Sequence, residues 1–514
     1  MRQIFSRCSY SNWLPVLIGL FLRSINLQSP IVGVHSWRQA DTAAMARHFA
    51  IEGTPIWLPQ IDWAGAGKGY VECEFPLFPY IVGQFYKLFG LHEWIGRGLS
   101  ILFSVLTILL VIRIGSRIFD PISGWWGGIF FALLPINVYY GRTFQAESLL
   151  IFLAALSIEC IFTWKIRSNP LALAFSWIAF CLACLIKLLP FIWLGLPLLA
   201  VHIYSIDKNH PRSLNQLFLR IFQTLRSPYI WFYILSIILV VFAWFSYAYS
   251  LGSSSGLSFF QWGQDTDRFS LAMLLDINIW SNLLLRITAR NMAFIGLPLV
   301  VIGIWKCEKD SLGGQTLQAG LAGMLICTAF AIRSSAVHEY YQLPLQLFLC
   351  PLMGRGWLYL GGFFSNRRLP NYYMTLIICL LTSISLAILS LDYFLVERKQ
   401  TEIWLPLAQK IRQQVPPGSR IVSVTGFDPT LLNLSRRQGW LIPANKINSA
   451  NIESWRAQGA TYIAGSLNWK ESYIRRSKSE ATYILGRLQC QEQKLYCPKG
   501  PNYTYLIPLR ELIE

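Results

Sequence analysis

The feature that most constrains this chain is a succession of apolar runs, each about as long as a bilayer is thick. They fall at 13–30, 97–114, 122–140, 146–164, 171–186, 188–204, 229–249, 291–306, 316–332, 341–361 and 372–391. A helix needs roughly 17–25 apolar residues to cross the hydrocarbon layer. A backbone in lipid must satisfy its own hydrogen bonds, so such runs form helices and not open strands. The fold expected is therefore mainly α, a polytopic transmembrane helix bundle of about eleven spans. Only 14% of the 514 residues are charged, against about 25% in a typical soluble domain. The chain carries 44 Lys and Arg against 26 Asp and Glu, a net charge of +18. This excess sits mostly in short loops between apolar runs, so it reads as a topology signal and as headgroup contact, with no nucleic-acid partner.

The same loop charges orient the bundle. Arg2 and Arg7 put the N-terminus inside, and the loops with Arg113 and Arg117, Lys165 and Arg167, Lys208 to Arg226, Lys306 and Lys309, and Arg367 and Arg368 should also lie inside. All agree only if PLFPYIVGQFYKLFG, 76–90, lies along the membrane surface and does not cross it. Residues 31–96 then form one large external loop. The first apolar run lacks an A-x-A-like cleavage site and reads as a retained signal anchor. After about residue 392 the sequence turns mixed and polar, with β-like runs IVSV, TYIAG and TYLIP around a helical ESWRAQG. The division is a membrane module over 1–393 and a small external α/β domain over 394–514. No internal repeat is seen, and LGSSSGLS at 251–258 reads as a flexible outer loop.

Once the topology is set, Arg38, Asp41, Glu72, Glu74, Arg97, Arg142, Glu147, Lys187, Arg333, His338 and Glu339 all gather at the external ends of spans. Ionisable groups at membrane depth are costly and mark function by default. In HSWRQADTAAMARHF, helical spacing puts Arg38, Asp41 and Met45 on one face, while the alanines suit a tight helix. Asp41 is a candidate catalytic residue, or merely the ion-pair partner of Arg38 or a helix cap. Glu72 and Glu74 of YVECEFPLFPY are acceptor or metal ligands, or simply favour the N-terminus of the surface helix. In YYGRTFQAESLL, Arg142 and Glu147 stand at a tight external turn, either as site residues or as a buried pair tying two helices. Lys187 of CLIKLLP either faces a ligand or snorkels to the interface. RSSAVHEYYQLP brings Arg333, His338, Glu339 and two tyrosines to another span mouth. The shared chemistry is a cationic outer-leaflet pocket with a few carboxylates, suited to a lipid phosphate and a polar reactant.

These residues resemble a family. An acidic residue early in a large first external loop, a Pro-rich surface helix ending LFG, the following HEWIGR and the R-x4-E turn are together similar to the GT-C membrane glycosyltransferases. The similarity is to the bacterial relatives of dolichyl-phosphate-mannose protein mannosyltransferases and of the lipid A aminoarabinose transferase, and it covers roughly residues 10–360. It implies a bacterial inner-membrane enzyme whose donor is a polyprenyl-phosphate-linked sugar, with a glycan, lipid or protein acceptor. It implies that Asp41 accepts or orients the proton of the attacking hydroxyl. Arg97, Arg142, Lys187, Arg333 and His338 would then hold the lipid phosphate as it leaves, with inversion at the anomeric centre. Two positions depart from the family pattern. Asp41-Thr42 stands where the family often has Asp-Glu, and Glu74-Phe75-Pro76 stands where it often has Lys-Pro-Pro. Either another cation replaces that lysine, or Glu74 binds a metal or the acceptor.

Cofactor need is left open: a divalent metal is compatible with Asp41, Glu72, Glu74 and His338, but their spacing is not diagnostic. In the C-terminal domain Trp440, Trp455 and Trp469 stack on sugars or fill the core. Cys490 and Cys497 would form a disulfide on an oxidising side, whereas the cysteines within apolar runs read as core. Sequons occur at Asn433 and Asn502. The rival readings are a transporter or flippase of a lipid-linked sugar and a non-catalytic lipid-sugar-binding subunit. Repeats and midplane charges would favour transport, and neither is seen.

Overall fold

The computed structural model describes residues 12–204, 220–224, 226–260, 270–370, 372–466 and 504–512. Arg2, Arg7, most of the 208–226 loop, Trp469, Cys490, Cys497 and Asn502 lie outside the described residues. The chain is mainly helical and divides into two compact units. One comprises 1–27, 97–246 and 265–390, and the other 28–96, 247–264 and 391–514.

In the first unit every apolar stretch is helical, but the helices are less uniform than the expected eleven spans. Among the described residues, five helices are long and apolar enough to cross a membrane, or six if one bent pair counts as a span. The reason lies in the breakers. Helix Pro121–Leu133 stops and Pro135–Tyr140 restarts, because Pro135 has no N–H to donate to the carbonyl one turn back. That orphaned Phe131 carbonyl accepts instead from Nη2 of Arg23 (3.2 Å), while Nη1 of Arg23 reaches Ala132 O (3.1 Å) and Nε reaches Ser104 Oγ (2.7 Å). An arginine inside a span is usually a functional signal, yet here a helix break accounts for it.

A second break interrupts a later helix. Ile277–Asn291 and Gly296–Trp305 meet at 97°, through Ala293 and Phe294 at positive φ and a π-helical turn over Ile287–Asn291. Irregular backbone at membrane depth persists only where its polar groups find partners. The Asn291 carbonyl accepts from Gln346 Nε2 (3.0 Å), Asn291 Nδ2 donates to Gln342 O (3.1 Å), and Asn137 Nδ2 donates to Gln346 Oε1 (3.1 Å).

In the second unit, helix Ser36–Ile51 packs on helix Leu77–Phe89. The approach is close because Gly83 has no side chain: a Cβ there would sit 2.8 Å from that of Phe49 and 3.0 Å from the Ala46 carbonyl. On its other face Leu77–Phe89 exposes Phe85, Leu88 and Phe89, the apolar stripe expected of a surface helix. The C-terminal part forms a four-stranded sheet in the order β2-β1-β3-β4, with β1 Arg420–Val424, β2 Gly439–Leu441, β3 Ala460–Ser466 and β4 Thr504–Pro508. β1 pairs in parallel with β2 and β3, and β3 runs antiparallel to β4. Helix Ser449–Ala457 covers one face through Ile452 and Trp455, so Trp455 is a core residue. Trp440 packs against the same core.

Two local expectations change. LGSSS belongs to the helix Pro228–Ser255, and only Gly256, at φ +71°, ends it; a Gly and three serines are helical here because the apolar run before them carries the helix through. The sequon residue Asn433 is buried and accepts a hydrogen bond from Arg47 Nη1 (2.8 Å), so its role is internal.

Candidate active site

Asp41 sits one turn into helix Ser36–Ile51, on the face turned inward with Ala40, Ala44 and Met45. Only 1% of the residue is exposed. Trp63 Nε1 donates to Oδ1 (2.9 Å), and Oδ2 is buried with no hydrogen-bond partner among the described residues. Burial pushes this carboxyl well above the usual carboxylate range. The Trp63 hydrogen bond and the charge of Arg38 pull it back, while Asp62 and Asp428 push it further up. A desolvated carboxylate with one fixed and one open oxygen is a stronger proton acceptor than an exposed one.

Arg38 forms an ion pair with Glu74 (3.0 Å). The carboxylate that stands where the family often has lysine is therefore bound to a cation from the Asp41 helix. Glu72 is held by a bridge to Ser258, with its N–H on the Leu257 carbonyl (2.9 Å). Its side chain lies against Gly252, where a Cβ would come within 2.7 Å of Oε2. Among the described residues, no three His, Cys, Asp or Glu side chains converge as a metal cage.

Sequence reasoning missed a network on the same helix. Arg47 pairs with Asp62, and His48 lies between two carboxylates, Nε2 to Asp62 Oδ1 (3.0 Å) and Nδ1 to Glu52 Oε1 (2.7 Å). Glu52 also accepts from Gln60 (2.8 Å). Spacing of four links His48 to Glu52 and was readable, whereas Asp62 is brought in by a loop. Burial alone would lower the His48 pKa, but its hydrogen bonds to Asp62 and Glu52 outweigh this and raise it. A histidine raised above its unfolded value stabilises fully below that value and loses the contribution as pH rises through the folded one. The wild type should therefore be more heat-stable than His48→Gln near pH 6, with the gap narrowing as pH rises through the raised folded-state value. A gap that does not vary with pH in detergent melts would contradict this.

The first unit holds the second cluster. Helix Pro170–Ile186 ends just before Lys187, and Pro190 starts the next helix, so Lys187 occupies a break from which its side chain can reach sideways. Its ammonium lies 2.7 Å from Glu147 Oε1 and over the rings of Tyr340 (4.5 Å) and Tyr341 (5.2 Å). Such cation–π contacts suit a partly desolvated ammonium. Glu147 opens helix Glu147–Arg167, where a negative charge is favoured. Its Oε2 is buried without a hydrogen-bond partner among the described residues.

His338 stacks on Tyr340 (5.3 Å) and Tyr341 (6.3 Å), and Arg333 is half-buried one turn before. Glu339 accepts from Tyr140 (2.8 Å) and pairs with Arg290. Arg290 was not singled out from sequence, because it sits in the π-helical turn and no apolar periodicity marks it. Arg97 and Arg142 are fully buried. Arg142 donates to Asn26 O (3.0 Å), and Ser100, beside Arg97, donates to the Thr143 carbonyl (2.7 Å). The structure thus gathers Glu147, Lys187, His338 and Glu339 around a pair of tyrosines.

Residues 74–247 match the family model described as Dolichyl-phosphate-mannose-protein mannosyltransferase. The fold is similar to that of ArnT from Cupriavidus metallidurans, with 14% identity, TM-score 0.62 and 98% of each chain covered. ArnT from the same organism bound to undecaprenyl phosphate gives 13% identity and TM-score 0.61, over 96% of this chain and 97% of that one. The archaeal oligosaccharyltransferase AglB from Archaeoglobus fulgidus, in complex with an inhibitory peptide and a dolichol-phosphate, gives 11% identity and TM-score 0.53, over 96% and 74%. No curated protein matches the chain in sequence. Together these matches give the chain a fold similar to that of ArnT and AglB, with the mannosyltransferase family model matched over residues 74–247. The likeness to ArnT runs along the whole length of the chain, at an identity that carries the fold and not the substrate.

Proposed function

We propose that this protein is an inverting glycosyltransferase that moves a monosaccharide from a polyprenyl-phosphate donor to an acceptor hydroxyl at the external face of a bacterial inner membrane, with the N-terminus cytoplasmic. The observation that carries the reading is Asp41, buried, held through one oxygen and open at the other. Asp41 takes the acceptor proton as the hydroxyl attacks the anomeric carbon. The bond from that carbon to the phosphate oxygen breaks, and its electron pair leaves with the lipid phosphate. Lys187, Arg97, Arg142, Arg333 and His338 serve the leaving phosphate, arginine through its planar fork and lysine as a point charge. Glu147 keeps Lys187 in place. Glu72 and Glu74 belong to the Asp41 side, where an acceptor would be bound.

The similar fold that binds undecaprenyl phosphate supports the donor class. A ligand that binds only the folded state raises its apparent stability. Adding undecaprenyl phosphate to the detergent-purified protein is expected to raise its thermal midpoint, and decanol at the same concentration is expected to leave it unchanged. An equal response to both would count against a phosphate site.

A further inference from the structure

We propose that Trp63 is a positioning residue of this site: its indole N–H occupies Oδ1 of Asp41, so that Oδ2 is the oxygen that takes the acceptor proton. The inference rests on the reading of Asp41 as the base.

The geometry is one-sided. Trp63 Nε1 stands 2.9 Å from Oδ1, and the described residues offer Oδ2 no hydrogen bond. Trp63 itself is fixed from several directions. The preceding residue, Asp62, is held by Arg47 and by His48 (3.0 Å), both from the helix that carries Asp41. Its carbonyl accepts from Gly439 N (2.9 Å), and Gly65 N donates to Gly439 O (2.7 Å), which fastens the 62–65 loop to the start of β2. Arg47 is tied to Asn433 (2.8 Å), and the indole stacks on Phe259 at 6.3 Å. The loop that carries Trp63 is thus clamped on both sides of it, at Asp62 and at Gly65.

The charged groups acting on Asp41 are Arg38, Asp62 and Asp428. With Oδ1 occupied, the O–H bond of the acceptor breaks toward Oδ2 while the new oxygen–carbon bond forms. The indole N–H stays on Oδ1 throughout and favours the ionised form before the transfer.

The test is the pH dependence of donor turnover in membranes whose polyprenyl-phosphate pool carries radiolabelled sugar, read as label lost from the lipid fraction. Trp63→Phe should lower turnover by about 10-fold to 100-fold, the loss expected for a hydrogen bond to a charged group, and should move the acid limb to higher pH. Phe259→Leu, which removes the stacking partner but not the donor, should leave the acid limb in place. If Trp63→Phe does not accumulate in membranes, 3-benzothienylalanine at position 63 keeps the ring shape without the N–H, and should show the same shift. An unmoved acid limb in the variant that lacks the N–H, with Asp41→Asn inactive, overturns the role of Trp63 alone. Wild-type turnover in Asp41→Asn would instead overturn the reading of Asp41, and this inference with it.

Discussion

Replacing Asp41 by Asn is expected to lower donor turnover by about 10²- to 10⁴-fold, the range that a positioned general base contributes. The substitution keeps the shape of the side chain and an oxygen for the Trp63 N–H, so the fold should survive. It removes the one group in the Asp41 cluster that is buried, carries an open oxygen and is pushed upward in pKa by its surroundings. The same displacement gives a pH signature. Asp41 works as a base only when ionised, so wild-type turnover should fall as pH drops through a value well above 3.8. Turnover in membranes, normalised to expressed protein, checks both. A variant within a few-fold of wild type would make Asp41 a structural residue.

The second large effect concerns Lys187. Removing one partner of a buried pair leaves an uncompensated charge, at about 3–5 kcal/mol. Both side chains are well buried, 13% and 2% exposed, so solvent screening gives little relief. Lys187→Ala should therefore lower the thermal midpoint of the detergent-purified protein markedly, with Glu147 stranded. Combining Lys187→Met with Glu147→Leu removes both charges and should recover most of that stability, as apolar replacements of buried pairs often do. It should not recover the stabilisation by undecaprenyl phosphate. If the double variant responds to undecaprenyl phosphate like the wild type, the lysine is a helix tie and not a phosphate contact.

What was legible in the sequence follows from the range of the interactions. The helical character of each apolar stretch and the runs IVSV, TYIAG and TYLIP are set by local pattern, and β1, β3 and β4 occupy those runs. The amphipathic helix at 77–89 was readable for the same reason. β2 was not, since three residues, Gly439 to Leu441, form a strand only because β1 offers an edge. Two breaks were not legible: Pro135 and the Asn291–Gly296 bend interrupt helices that hydropathy alone reads as continuous. At the site, the charges at the ends of apolar runs announced themselves by their rarity. Their pairing did not: Arg38 with Glu74, Lys187 with Glu147 and Arg290 with Glu339 are partners separated by many residues. The Trp63 contact to Asp41 was equally invisible, because no spacing rule links a loop tryptophan to a helical carboxylate.

As the proposed transferase, the protein would consume a lipid-linked sugar and not merely carry it. The most direct measurement reconstitutes the purified chain in liposomes with a polyprenyl-phosphate-linked radiolabelled sugar and extracted envelope material as acceptor, then follows the label between lipid and product fractions. Label is expected to leave the lipid while free polyprenyl phosphate accumulates, and neither should occur with Asp41→Asn. Intact sugar-lipid crossing between leaflets, with no label leaving it, would contradict the account and make the protein a transporter.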